Sequence, residues 1–324
     1  MVSQPTPDLG RATAEMLARI RQRKPLLHHI TNFVVMNDTA NVTLHVGALP
    51  VMAHAREEVA EMVAAAGALV LNPGTLTPEW VEAMLIAGRR ANELGIPVVL
   101  DPVGAGATTL RTQANQRLLR ELKIAVLRGN SGEVGALAGM GGVVKGVESV
   151  VDVADPIMVA KTLAKNVGAD SVVPNVGADS VVPRGRIGDG PYVAPSQGLV
   201  VAITGKQDVI SDGERVVLVD NGDPWLKTIT GTGCMATTMI AAFCAVEQDH
   251  LLAASGGLIA FGLAAELAAA VGQVAKPASD TAAIESRPTG LPAFGPASFK
   301  TALFDAIYNL TAEQIMAGAK ARWL

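Results

Sequence analysis

The segment Ile229-Thr230-Gly231-Thr232-Gly233-Cys234 sets two glycines around a threonine and puts a cysteine at the head of an apolar helical run, Met235 to Phe243. A glycine turn feeding a helix start gathers unpaired backbone N–H groups, and such a spot binds anions, phosphate above all. The dipole of the same helix would favour the thiolate of Cys234. The expectation is a phosphate cradle built from the backbone of Gly231, Thr232 and Gly233, with Cys234 beside it as a reactive side chain. The plainer alternative for Cys234 is a small residue packing the turn, since no histidine can be paired with it from the sequence.

Other polar residues fall where apolar strands end. Asp101 follows Ile96-Pro97-Val98-Val99-Leu100 and precedes Pro102-Val103-Gly104-Ala105-Gly106. A carboxylate there could hold a magnesium ion through its water shell, or cap the next segment. Asn130-Ser131-Gly132-Glu133 reads as a capping box at a helix start, or as a second carboxylate facing metal-bound water. Magnesium keeps several waters and takes one or two carboxylates, so Asp101 and Glu133 together meet its demand. Arg128 offers a planar fork for phosphate at the end of Ile124-Ala125-Val126-Leu127. Asn72 and Thr204-Gly205 end two further strands. His28 and His29 are adjacent on a strand and so point to opposite faces, which is poor geometry for one metal ion. They are read as structural hydrogen-bonding groups.

The elements that position these residues alternate between short β-rich runs and helical patterns. Ala68 to Asn72, Ile96 to Asp101, Ile124 to Arg128 and Leu199 to Thr204 read as buried strands. Continuous apolar runs without alternation imply a parallel sheet covered on both faces. Thr77-Pro78 starts a helix over Glu79 to Leu94, and Gly95 ends it. Val209-Ile210-Ser211 and Arg215 to Val219 flank Asp212-Gly213-Glu214, a hairpin signal that belongs at a sheet edge. Ligands of open α/β sheets bind beyond the carboxyl ends of the strands, where all these polar residues gather. One domain spans 1–324, with mobile inserts expected at 166–198 and 272–292. The first holds a tandem repeat, NVGADSVVP over 166–174 and again over 175–183, read as a duplication in a tolerant surface loop.

Composition narrows the function classes. A net charge of −4 leaves no basic footprint, so nucleic acid is not an expected partner. The uncharged stretch between Lys227 and Glu247 is just long enough to span a membrane, but its glycine turn and threonines make it a buried core helix instead. No secretory leader is visible, and two cysteines too far apart along a helix to bridge imply a reducing, cytoplasmic setting.

One ordered set of motifs comprises His28-His29-Ile30-Thr31-Asn32, Met36 to Asn41, Pro50-Val51-Met52-Ala53 and Leu71 to Leu76. It continues through Leu100 to Thr108, Arg128-Gly129-Asn130, Ala202 to Gly205, Thr230 to Cys234 and Gly295 to Phe299. In order and spacing, this set resembles the hydroxyethylthiazole kinase family of the ribokinase-like superfamily. The resemblance implies a three-layer α/β/α sandwich with a mostly parallel sheet and an edge hairpin. It implies transfer of the ATP γ-phosphate, with Mg2+, to the alcohol of 4-methyl-5-(2-hydroxyethyl)thiazole in thiamine salvage, by a homotrimer with active sites between subunits. It further implies that Asn32 and Met52 line the thiazole pocket with Gly231 beside the substrate, that Arg128, Thr204 and Asn130 lie on the ATP side, and that Asp101 and Glu133 belong to the magnesium network. Cys234 stands where related kinases carry a catalytic aspartate. A ribokinase-like ATP- or ADP-dependent hydratase or dehydratase, and a nucleotide-binding sensor without turnover, are the alternatives. Pro73, Thr109-Leu110 and the two inserts depart from the family pattern.

Overall fold

Ala68-Leu69-Val70-Leu71 is apolar at every position because both of its faces are covered: Ala68 and Val70 belong to one hydrophobic core, Leu69 and Leu71 to another. The same division runs through the neighbouring strands, with Val99 and Val126 on the first side and Val98, Leu100 and Leu127 on the second. The structure is a computed structural model that describes residues 7–139, 143–145, 148–151, 155–169, 198–274 and 294–324.

In chain order the elements begin α1 (Leu9–Arg23), β1 (Leu26–Ile30), α2 (Met36–Val46), β2 (Leu49–Val51), α3 (Val59–Ala64), β3 (Ala68–Leu71), α4 (Pro78–Leu94) and β4 (Val98–Leu100). They continue with α5 (Thr109–Glu121), β5 (Val126–Asn130), α6 (Ser131–Ala138), β6 (Val143–Lys145), β7 (Glu148–Val151), α7 (Pro156–Ala169) and β8 (Val200–Thr204). Then follow β9 (Asp208–Ser211), β10 (Val216–Val219), a short 3-10 turn (Pro224–Thr228), α8 (Thr232–Cys244), α9 (His250–Val274), α10 (Pro296–Asn309), α11 (Ala312–Gly318) and β11 (Ala321–Trp323).

The main sheet has nine strands in the order β11-β10-β9-β8-β5-β4-β3-β1-β2. From β2 to β8 every pairing is parallel, and β9, β10 and β11 add on antiparallel. Helices α1, α2, α8, α9 and α10 supply one covering layer, and α3, α4, α5 and α7 the other. This is the expected α/β/α sandwich. The hairpin β9–β10 lies at the expected side of the sheet, but β11 pairs outside it and forms the actual edge. Because β2 adds to one side of β1 and β3 to the other, the chain reverses its direction of travel across the sheet at β1. The carboxyl ends of β1 and β3 flank that switch point, where such sheets bind ligands.

Local signals place the helix starts. Thr77 accepts from Trp80 N–H at 3.2 Å with Pro78 in the first turn, and Gly95 closes α4 at φ +70°. The uncharged stretch before Glu247 forms α8, too short to cross a membrane and buried from Met235 to Cys244. Helix α9 is long and apolar enough to cross one, yet 83% of its most apolar window is buried inside this fold. Residues 166–169 complete α7 and residues 272–274 complete α9, so the helices run into the stretches read as inserts; 170–197, with most of the repeat, and 275–292 lie outside the described residues.

Candidate active site

Helix α8 starts three residues earlier than its apolar run suggested. Gly231, at φ +82°, is the N-cap, and the first backbone bond of the helix runs from Met235 N–H to Gly231 O at 2.9 Å. The N–H groups of Thr232, Gly233 and Cys234 therefore precede the helical ladder and point out of its end. The Thr232 hydroxyl is turned away from that end, donating to Leu226 O at 3.1 Å and tying the turn to the preceding 3-10 segment. What the turn offers an anion is backbone, as the glycines implied.

Arg128 and Asp101 lie against this helix start. A Cβ on Gly233 would sit 2.6 Å from Arg128 Nη1, so the guanidinium covers the glycine. Arg128 Nη2 donates to Thr204 Oγ1, and Nη1 stands 3.9 Å from Asp101 Oδ1. Its Nε is buried without a hydrogen-bond partner among the described residues, a donor left over for a ligand. Asp101 is 1% exposed. Its Oδ2 accepts from Asn72 Nδ2 at 3.0 Å and from Thr237 Oγ1 at 2.9 Å, so Oδ1 keeps the freer lone pairs. Burial raises its pKa, opposed by Arg128 and these hydrogen bonds.

Glu133 stands where the capping-box reading put it. It completes a capping box with Asn130: Glu133 N–H donates to Asn130 Oδ1 at 2.9 Å, and Asn130 N–H to Glu133 Oε2 at 3.0 Å. Its other oxygen accepts from Gly104 N–H at 2.8 Å, in the loop that follows Asp101. Burial and then the nearby Asp101 carboxylate push it up to about 7. Asn130 spends its side-chain oxygen on the cap. Beyond Thr204, Asp208 folds the β8–β9 turn by accepting from Gly205 N–H at 3.0 Å, and burial pushes it up to about 6. One guanidinium thus interacts with three acids, Asp101, Glu133 and Asp208. That surplus of negative charge suits a divalent cation, and Glu133 retains lone pairs for metal-bound water.

On the opposite side lies Asn32, 5% exposed. Its Nδ2 donates to Asn72 Oδ1 at 2.9 Å and reaches Cys234 Sγ at 3.7 Å. Asn72 Nδ2 also donates to the sulfur, at 3.1 Å. Cys234 is thus where the two sides meet. The expectation of a favoured thiolate is corrected here: burial first, then the Asp101 carboxylate, raise the thiol pKa far above its usual value, outweighing Arg128 and both amides. The sulfur is a protonated thiol at neutral pH. Met52 is joined to this side through His54, whose Nδ1–H donates to Met52 O at 3.0 Å while Nε2 accepts from Thr31 N–H at 3.4 Å. Phe33 and Trp80 pack edge to face beside them, at 5.0 Å between centroids. The histidine pair is structural, as read: His28 Nε2 bonds Ala53 O at 2.7 Å and His29 Nε2 bonds Thr43 Oγ1 at 3.1 Å, with burial lowering His29 to about 3. Thr237, His54 and Asp208 were missed from the sequence. Thr237 had one signal, its place one helical turn after Cys234.

A mostly parallel sheet between helical layers, with a glycine turn and helix start facing the strand ends, defines a ribokinase-like α/β kinase. The pyridoxal kinase of Staphylococcus aureus, solved with AMP-PCP and pyridoxal, superposes with a TM-score of 0.52 over 93% of this chain and 98% of its own at 14% identity, a likeness of fold alone. The hydroxyethylthiazole kinase of Pyrococcus horikoshii OT3 superposes with a TM-score of 0.73 at 37% identity, covering 96% and 98%. The hydroxyethylthiazole kinase of Chloroflexus aurantiacus is 61% identical over 312 residues, 96% of this chain and 97% of that one. The sequence model of the hydroxyethylthiazole kinase family matches residues 17–188 and 177–313, two stretches that overlap from within the second copy of the repeat to five residues beyond it. The chain belongs to the hydroxyethylthiazole kinase family.

Proposed function

We propose that the protein transfers the γ-phosphate of ATP to the hydroxyl of 4-methyl-5-(2-hydroxyethyl)thiazole, in thiamine salvage. The observation that carries this reading, beside family membership, is the meeting at Cys234 of an anion-directed helix start, a guanidinium and buried acids on one side and the Asn32 amide on the other. Phosphoryl transfer needs an in-line alcohol and compensation of charge on the γ-phosphoryl oxygens, and little covalent chemistry from the protein. The N–H groups of Thr232, Gly233 and Cys234 and the Arg128 fork supply the compensation. Thr204 holds that fork, and Asn130 helps to seat Glu133 on the ATP side. Asn32 and Met52 orient the alcohol beside Gly231. Asp101 and Glu133 would hold Mg2+ through its water shell, and the ion would neutralise phosphate charge when bound. Cys234 Sγ, already carrying a proton, is a poor first acceptor for the proton of the alcohol.

We further propose a homotrimer with acceptor sites between subunits. Phe33 and Val34, which follow Asn32, are 63% and 62% exposed, an apolar surface next to the acceptor side that a second subunit would cover. Two free thiols fit a cytoplasmic location. The deciding experiment is incubation of purified protein with the thiazole alcohol, ATP and magnesium, with light scattering for mass. A folded trimer that forms no thiazole phosphate sinks the reading.

Two predictions arise from the phosphate side. Gly231→Ala forces a left-handed φ on a side chain whose Cβ would lie 2.6 Å from Val35 Cγ1, so it should cost about 1–3 kcal/mol of stability. Gly233→Ala meets only the movable tip of Arg128, so it should melt like the native protein while the KM for ATP rises roughly tenfold. Thermal melting and initial rates separate the two cases.

The second concerns pH. If ionised Glu133 is the active form, kcat/KM for ATP rises with pH through about 7 and levels above it. More magnesium favours the carboxylate and moves the midpoint to lower pH. A flat profile from pH 6 to 8, unchanged by magnesium, removes Glu133 from the metal network.

A further inference from the structure

Asn72 has every hydrogen-bonding valence of its amide in use, and it is 1% exposed. Its Oδ1 accepts from Asn32 Nδ2 at 2.9 Å and from Gly74 N–H at 3.1 Å. Its Nδ2 donates to Asp101 Oδ2 at 3.0 Å and to Cys234 Sγ at 3.1 Å. A primary amide has two N–H donors and one oxygen with two lone pairs, so these four bonds fill its capacity. Turning the amide over would set its hydrogens against two donors and its oxygen against a carboxylate, so one orientation alone is stable.

Asn32 is fixed in the same way. Its Oδ1 accepts from Val34 N–H at 3.1 Å, and its side chain lies so close to Gly74 that a Cβ there would fall 2.7 Å from Nδ2. Donors all pointing in one direction therefore run from Val34 N–H through Asn32 and Asn72 to Asp101. Thr237 Oγ1 supplies the second donor to the same carboxylate oxygen, at 2.9 Å. The run crosses the switch point of the sheet from the end of β1, past the end of β3, to the end of β4.

We propose that Asn72 is a positioning residue that holds acceptor-side Asn32 and metal-side Asp101 in one fixed geometry, so that acceptor and phosphate donor are aligned together. The inference rests on the thiazole kinase reading above. Asn32 and Asp101 sit on loops after different strands, and Asn72 bonds both through its amide at 2.9 and 3.0 Å, more closely than Cys234, which touches Asn32 at 3.7 Å and also hydrogen-bonds Asp101. Removing it frees both carboxyl-end groups at once, whereas removing Thr237 loosens Asp101 alone.

The test compares Asn72→Ala, Asn72→Asp and Thr237→Val with the native enzyme, by initial rates against each substrate, pH profiles and thermal melting. Asn72→Ala should raise the KM for the thiazole alcohol and the KM for MgATP together, each by roughly 10–100-fold, the range seen when groups orienting a metal-side ligand are lost. Thr237→Val should raise the KM for MgATP and leave that for the alcohol unchanged. Asn72→Asp keeps the shape but replaces donors with a carboxylate facing Asp101. Its protonated form can return one donor to Asp101, so its activity as a fraction of the native enzyme's at the same pH should rise toward acid pH, an effect Asn72→Ala cannot show. A rise in one KM only for Asn72→Ala, or an Asn72→Asp pH profile like the native one, overturns the proposal. If Asn72→Ala does not fold, the near-isosteric Asn72→Asp decides the matter by its pH profile. A native enzyme without turnover overturns the kinase reading itself, whereas an active native enzyme with unaffected Asn72 variants overturns this inference alone.

Discussion

Replacing Asp101 with asparagine should lower kcat by roughly 10³-fold, the scale expected when charge stabilisation at a phosphoryl site is lost, without unfolding the protein. The two outcomes separate because the carboxylate is a poor choice for stability. Asp101 is 1% exposed, and burial is the largest influence on its pKa, raising it against the pull of Arg128 and three hydrogen-bonding neighbours. A raised folded-state pKa means the native protein binds this proton more tightly than the unfolded chain does. The ionised group then works against folding in full at pH values above its folded pKa, and this penalty fades as pH falls from the folded value toward the unfolded one, below which it is gone. An asparagine oxygen can still accept from Asn72 and Thr237, so no buried donor is orphaned. Arg128 keeps Thr204 and the acids Glu133 and Asp208. The variant should therefore melt at the native temperature or about 1–3 °C above it, with the larger gain at pH 8 and a smaller one toward pH 5. Steady-state rates and melting curves at both pH values check this. Near-native turnover would remove Asp101 from the reaction, and a large drop in Tm would make the 3.9 Å ion pair with Arg128 a structural one.

The strands were legible because burial on both faces leaves an unbroken apolar run, and the run ends where the polar site residues begin. The capping box of Asn130 and Glu133 was legible because it is a contact three residues apart. The bonds that give the site its chemistry are not local. Thr237 meets Asp101 across 136 positions, and Asn32 meets Asn72 across 40, and no periodicity carries such information. Strand β11 escaped notice because three residues, Ala321-Arg322-Trp323, form a strand only against the edge that β10 presents. The start of α8 was placed late because Thr232 and Gly233 are weak helix formers, while the left-handed Gly231 cap that starts the helix is a tertiary fact, packed on Val35. The thiol was misjudged for a related reason. The dipole could be read from the helix start, but the burial and the Asp101 charge that outweigh it belong to the assembled sheet.

Cys234 is the position where that error has the largest experimental consequence. Two amide N–H groups, from Asn72 at 3.1 Å and Asn32 at 3.7 Å, converge on its sulfur. Donors arranged in this way suit an acceptor with full negative charge, yet the thiol beside Asp101 keeps its proton. Cys234→Ala should therefore retain kcat to within about tenfold, because a group that is not the base contributes no base catalysis to lose, where loss of a working base costs roughly 10²–10⁴. Cys234→Asp should raise kcat above the native value. The two amides would bind its oxygens, and the Asp101 charge would lift its pKa toward the range in which a carboxylate takes up the proton of an alcohol. The same charge makes the substitution costly to the fold, by about 1–3 kcal/mol, since a second carboxylate enters a largely desolvated spot. Faster turnover with a lower melting temperature is the expected pairing. It would mean that this enzyme works mainly by holding its substrates and phosphate charge, with a thiol where a base would fit. A fall in kcat of a hundredfold or more for Cys234→Ala would put the sulfur directly on the path of the proton. No gain for Cys234→Asp would mean that the two amides serve only to anchor the loops of Asn32 and Asn72.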